Sequence, residues 1–199
     1  MATPIQLRKV QAYITNSAYN LNSKDLDEAF QVNPTEFAFQ VNNFLRANLA
    51  TPAMEKYLED LDELCQTDVI YEKLTVHRAC NYLEMLPTMM CGNYLDRGYM
   101  STSLDKKVIM HFFNGNGYYI PAYIQIDLPE GAQVLFLDGI RDLSNHTYEK
   151  EVLIRRRAAF KIEEEEKLIK GGEVPAEFRC IVDHYKEMYL IKLRFIQYL

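Results

Sequence analysis

The chain has 199 residues, 48% of them hydrophobic and 25% charged, enough apolar material for one domain with a sizeable core. Its net charge of −6 argues against a polyanionic partner such as nucleic acid, whose binders carry a basic excess. No run approaches the ~20 apolar residues of a membrane span, so no membrane partner is expected, and residues 1–9 lack the apolar core of a secretory signal. Cys65, Cys80, Cys91 and Cys180 show no Cys-x-x-Cys spacing, so reduced, mostly buried thiols and no metal site are expected. A single cytosol-compatible domain over 1–199 follows, mostly helical over 1–68 and strand-rich over 70–199.

The front part shows no alternating strand pattern. Residues 6–14 place Leu7, Val10 and Ile14 at the spacing of an amphipathic helix, and the small polar residues of 15–23 can bend or cap it. Pro34 predicts a helix over 35–50 and Pro52 one over 53–65, because proline suits the first helical turn. Strands begin at 74–78, with Leu74, Val76 and Arg78 on one face and Thr75 and His77 on the other. Residues 97–103 read as a short strand with a turn at Gly98. A helix capped by Ser103 then runs to about Phe113, with Val108, Ile109, Phe112 and Phe113 as its apolar face. The Asn-Gly-Asn-Gly segment 114–117 breaks it. Residues 118–128 and 133–137 read as strands around a turn, and 178–183 with 188–196 as a closing hairpin. Glu163 to Glu166 read as a solvated charge run. Helices followed by about seven strands define an α+β chain.

Residues 148–157, Tyr-Glu-Lys-Glu-Val-Leu-Ile-Arg-Arg-Arg, organise the rest. As a strand, this stretch sets Glu149 and Glu151 on the same face, about 6–7 Å apart. They stand at the mouth of the buried run Val152, Leu153 and Ile154, just after the turn-rich segment 142–147. Such carboxylates are fixed by the strand and reachable from the loop, which suits chemistry. A solvated strand end is the alternative.

Three pieces occur in order: Val76-His77-Arg78, Ser101-Thr102-Ser103 and Glu149-Lys150-Glu151. Together they resemble the Arg, Ser-Thr-Ser and Glu-x-Glu series of the mono-ADP-ribosyltransferases of the clostridial-toxin type. The flanks agree. Residues 74–78 resemble that family's first catalytic strand, with His77 where an aromatic is usual. Residues 98–105 are similar to its aromatic-x-Ser-Thr-Ser segment. Residues 149–156 resemble its Glu-x-Glu-Val-Leu-Leu-Pro-Arg strand, with Arg155 in place of the proline. Residues 13–22 are similar to its N-terminal Tyr-Thr…Tyr…Ile-Asn segment.

The resemblance implies two packed β-sheets around an NAD cleft, with helices ahead. It implies NAD⁺ as substrate, losing nicotinamide from a ribose carbon through an oxocarbenium-like state. Glu151 then matches the catalytic glutamate, Ser101 the serine that orients it and seats the ribose, and Arg78 the pyrophosphate clamp. Thr102 and Ser103 complete the NAD-binding segment. Phe112, eleven positions after Ser101, matches a phenylalanine that stacks on nicotinamide, or else faces the core. Tyr13 and Tyr19 line the adenosine end, or else pack and cap. The 114–117 loop lacks the arginine often found there. Glu149 implies an arginine acceptor, because a guanidinium with a pKa above ~12 needs a carboxylate to activate its nitrogen. Residues 142–148 would then be the acceptor-recognition turn, with Tyr148 or Leu143 as its apolar contact. The implied protein is a bacterial toxin or effector, a virulence-associated glycosyltransferase, secreted or injected by a signal-independent route to reach a protein substrate in a cytosol. An NAD⁺ glycohydrolase, a transferase acting on a nucleotide or small molecule, and an inactive NAD- or protein-binding module are the alternatives.

Overall fold

A computed structural model describes residues 37–113, 120–137 and 150–199. The amphipathic pattern expected over 6–14, together with Tyr13 and Tyr19, lies outside the described residues. Helix α1 (Phe37–Arg46) buries Val41 and Leu45, four apart on one face. Helix α2 (Pro52–Leu64) starts as the sequence predicts. Thr51 caps it by accepting from the Met54 amide at 3.2 Å, and Pro52 occupies the first turn. Met54, Leu58, Leu61 and Cys65 are its buried stripe.

Among the described residues ten strands follow rather than about seven. They are β1 (Asp68–Val69), β2 (Leu74–Asn81), β3 (Met89–Met90), β4 (Asn93–Asp96), β5 (Met100–Ser103), β6 (Pro121–Leu128), β7 (Gln133–Phe136), β8 (Glu151–Ile154), β9 (Ala158–Ile169) and β10 (Glu187–Tyr198). Helix α3 (Tyr82–Met85) follows β2, helix α4 (Lys106–Phe112) follows β5, and helix α5 (Arg179–Tyr185) precedes β10. The hydrogen-bonded order is β1-β7-β8-β5-β2-β6-β10-β9-β4-β3. Among the described residues one pair, His77 with Ser103, joins the first four strands to the last six. The two halves share a core: Met100, Val134, Val152 and Ile154 from one side meet Val76, Ile124, Ile126, Leu193 and Phe160 from the other. The fold is α+β, with two packed layers hinged at a seam between β5 and β2. Pairing between these strands is antiparallel, apart from β6 with β10.

Several expectations need correction. Residues 179–185 form a helix, not the first strand of a hairpin. Phe178, Ile181, Val182 and Tyr185 follow the helical spacing i, i+3, i+4, i+7, and all but the half-buried Tyr185 are fully buried. They and Ile109, Phe113, Tyr123 and Leu168 fill a second core on the outer face of the six-strand layer. The four glutamates from 163 to 166 are exposed, as a solvated charge run is expected to be, while their strand β9 pairs with β10. The cap of α4 is Asp105, whose Oδ1 accepts from the Lys107 amide at 2.9 Å. Ser103 cannot cap because it is still the strand partner of Glu151. Cys65 and Cys80 are buried but Cys91 and Cys180 are exposed, and all four are free. Burial pushes the Cys80 thiol up to about 12, which makes it chemically quiet. Among the described residues no helix is long and apolar enough to cross a membrane.

Candidate functional site

The seam between the layers brings together the three predicted motifs. Strand β2 carries Arg78, β5 carries Ser101, Thr102 and Ser103, and β8 opens at Glu151. Antiparallel pairing of β5 with β8 sets Ser103 opposite Glu151 and Ser101 opposite Leu153. The Ser101 hydroxyl donates to Glu151 Oε1 at 2.5 Å. Arg78 Nη1 donates to the Ser101 carbonyl at 2.8 Å, across the seam. Ser101 therefore links a permanent cation on one layer to a carboxylate on the other. Ser101 is exposed, while Arg78 and Glu151 are half-buried. A fixed carboxylate there can stabilise a developing positive charge, and a guanidinium fork beside it can hold phosphate oxygens.

Thr102 and Ser103 stand differently. Both are 2% exposed. The Thr102 hydroxyl donates to the Val152 carbonyl at 2.6 Å, locking β5 to β8. The Ser103 hydroxyl accepts from the Asp105 amide at 2.9 Å. Their side chains serve the frame around Ser101 and Glu151. Phe112 is 40% exposed at the end of α4, while Ile109 and Phe113 take the core positions. The core-facing alternative for Phe112 does not hold.

Strand β8 begins at Glu151. Lys150 has a φ of 46°, in the left-handed region. The alternation that set Glu149 and Glu151 on one face requires extended backbone, and Lys150 interrupts it. Glu149 itself lies outside the described residues, as do Leu143, Tyr148 and the segments 142–148 and 114–117.

Buried ion pairs that the sequence pattern did not reveal hold these strands in place. Asp96, 2% exposed, accepts from Arg46 Nε and Nη2 at 3.1 Å each, from the Tyr94 hydroxyl at 2.9 Å and from the Gly98 amide at 2.8 Å. Asn42 of α1 accepts from the Tyr99 amide at 2.8 Å. A Cβ on Gly98 would lie 2.6 Å from that Asn42 oxygen, which explains why a glycine stands there. Beyond β8, Arg156 is 3% exposed and donates through Nε to Asp62 at 2.9 and 3.1 Å, while its Nη1 lies 2.5 Å from Glu55 Oε2. Arg155, in the position of the resembled proline, lies with its guanidinium 5.0 Å from the Tyr198 ring. Both helices are thus clamped beside the site, α1 to the turn entering β5 and α2 to the turn leaving β8.

On the outer face of β2, His77 Nδ1 lies 2.7 Å from the Tyr123 hydroxyl, with the two rings stacked at 5.8 Å. Burial, and then the nearby Lys106 charge, lower the His77 pKa. His77 thus packs as a ring against Tyr123 and keeps a polar contact with it.

Two layers hinged at an Arg, Ser and Glu seam define an ADP-ribosyltransferase fold. Residues 35–186 match the family described as ADP-ribosyltransferase exoenzyme, and the chain belongs to that family. Its fold is similar to that of Plx2a, an ADP-ribosyltransferase toxin from Paenibacillus larvae, at 17% identity and TM-score 0.59, over 96% of this chain and 86% of that one. It is also similar to an ADP-ribosyltransferase from Clostridium botulinum, at 13% identity and TM-score 0.60, over 98% of this chain and 88% of that one. C3stau2 from S. aureus, solved with NAD, aligns at 18% identity and TM-score 0.57 over 96% and 95% of the two chains. At such identities the likeness is one of fold. No curated protein matches the chain in sequence.

Proposed function

We propose that this chain is a mono-ADP-ribosyltransferase that moves ADP-ribose from NAD⁺ to an arginine side chain of a protein, as a toxin or effector acting in a cytosol. The observation that carries the reading is the Arg78–Ser101–Glu151 relay across the seam. The structures of C3stau2 with NAD and of BECa from C. perfringens with NADH support a dinucleotide as the ligand of this fold. In the proposed reaction the bond between nicotinamide and the ribose carbon breaks, and nicotinamide leaves with the electron pair. The Glu151 carboxylate, aimed by Ser101, faces the cation left on the sugar. Arg78 holds the pyrophosphate with a charged fork. A guanidinium nitrogen then bonds the ribose carbon and gives up a proton, for which Glu149 is the proposed base.

Nicotinamide release and protein labelling, measured side by side on purified variants, test this. Glu151→Gln keeps the shape but removes the charge, so both activities fall by on the order of 10²–10³. Near-wild-type turnover in that variant would sink the assignment. Glu149→Gln loses protein labelling while hydrolysis by water persists, because water needs less activation than a protonated guanidinium. Labelling that survives in Glu149→Gln points to another acceptor class, and joint loss of both activities moves Glu149 into the NAD⁺ site.

A further inference from the structure

Lys150 is the middle residue of Glu149-Lys150-Glu151, and its side chain has no part in the proposed chemistry. Its φ of 46° is unfavourable for a residue with a Cβ and persists only where the surroundings hold it. Two contacts do so. The Leu104 amide donates to the Lys150 carbonyl at 3.1 Å, and Lys150 Nζ lies 3.6 Å from Asp105 Oδ2. Asp105 is itself fixed two ways. Its Oδ1 caps α4 through the Lys107 amide, and its own amide donates at 2.9 Å to the hydroxyl of Ser103, the strand partner of Glu151. A ring closes from Glu151 through Ser103 and Asp105 to Lys150, and back to Glu151 along the chain.

We propose that Lys150 and Asp105 form a positioning pair that holds the backbone entering Glu151 against the start of α4 and so sets the direction of the Glu151 carboxylate. The inference rests on the reading of Glu151 as the group facing the ribose. Residue 151 is the first of its strand, so a rotation at Lys150 swings its side chain directly. The 2.5 Å bond from Ser101 to Glu151 depends on that direction. The hydrogen bond from Lys107, and after it the Lys150 charge, hold the Asp105 carboxyl below its usual range against some opposing burial. Lys150 and Asp105 are 54% and 32% exposed at the side chain, so salt screens the pair. Its role is local aim rather than global stability.

The test is a double-mutant cycle on nicotinamide release from NAD⁺. Lys150→Asn tolerates the left-handed backbone but drops the charge, and Asp105→Asn keeps an oxygen for the Lys107 amide. Each single variant lowers kcat by about three- to five-fold with KM for NAD⁺ unchanged, the size of an exposed ion-pair coupling. The double variant is no slower than the slower single, and Lys150→Arg restores the rate. Raising salt from about 0.05 M to about 0.5 M brings wild type toward the singles and leaves them unmoved. Additive losses, unchanged kcat or a shifted KM in an active wild type would overturn the inference alone. A wild type that releases no nicotinamide overturns the reading of Glu151, and this inference with it. NMR titration of Asp105 gives a readout besides activity: its pKa rises in Lys150→Asn, and an unmoved value overturns the pair.

Discussion

Arg78 holds the Ser101 carbonyl and, in the proposed function, the pyrophosphate as well. Its Nη1 holds the Ser101 carbonyl at 2.8 Å, which uses one of the five N–H donors of a guanidinium. The fork that remains can meet phosphate oxygens, and a lysine could not keep both contacts in one plane. Arg78→Ala is expected to weaken NAD⁺ binding by about 10- to 100-fold, since hydrogen bonds to charged groups contribute about 1.5–3 kcal/mol each. The fall in kcat should be smaller, because a pyrophosphate clamp acts away from the scissile bond. Calorimetric titration with NAD⁺ reads the affinity directly. If affinity is unchanged while the protein loses stability, the bond to Ser101 is the whole of its role.

Between elements, the decisive contact is the latch from α1 to the β4–β5 turn. Asp96 gathers four donors in a buried position, two of them from Arg46. Asp96→Ala leaves the Arg46 charge, the Tyr94 hydroxyl and the Gly98 amide without their acceptor. A loss of about 3–5 kcal/mol is expected, as for breaking a buried ion pair. Urea denaturation reads it as a lower midpoint. A change below about 1 kcal/mol would show that Arg46 and Tyr94 find water instead. This latch was not legible in the sequence, because Arg46 and Asp96 are 50 positions apart and neither sits in a motif. The strands bearing Arg78, Ser101 and Glu151 were legible, because each motif sits beside a β-branched or apolar run with strand spacing. Residues 178–185 misled for a related reason: seven or eight residues rich in apolar side chains fit a strand as well as a short helix, and only packing decides. The φ of Lys150 follows from tertiary tethers to Leu104 and Asp105, which no local pattern encodes.

At the scale of the whole molecule, the candidate site lies on a seam where, among the described residues, one strand pair, His77 with Ser103, joins the two layers. Anything that shifts the stability of that seam shifts the site. His77 is half-buried, and burial lowers its pKa, with the Lys106 charge adding to the effect while Asp105 and Asp127 oppose it. Lys106 is itself held by Glu177 at 2.8 Å and lies over the Phe178 ring, so its charge stays near. The sign follows from proton uptake. Above the ordinary histidine value of about 6.5, His77 is neutral in both folded and unfolded chains and costs nothing. As pH falls below that value, the unfolded chain binds the proton first, and unfolding becomes easier. The loss continues until pH passes the lowered folded-state value, then levels off. Carboxylates with lowered values, such as Asp127 and Glu177, add their own losses only further into acid, below about pH 4–5. His77→Gln keeps a polar partner for the Tyr123 hydroxyl but cannot titrate. Denaturant midpoints measured from about pH 7.5 down to about pH 5 should fall more steeply in wild type than in this variant. Parallel curves would mean that protonated His77 finds a new partner at the seam, and that burial there does not govern its charge.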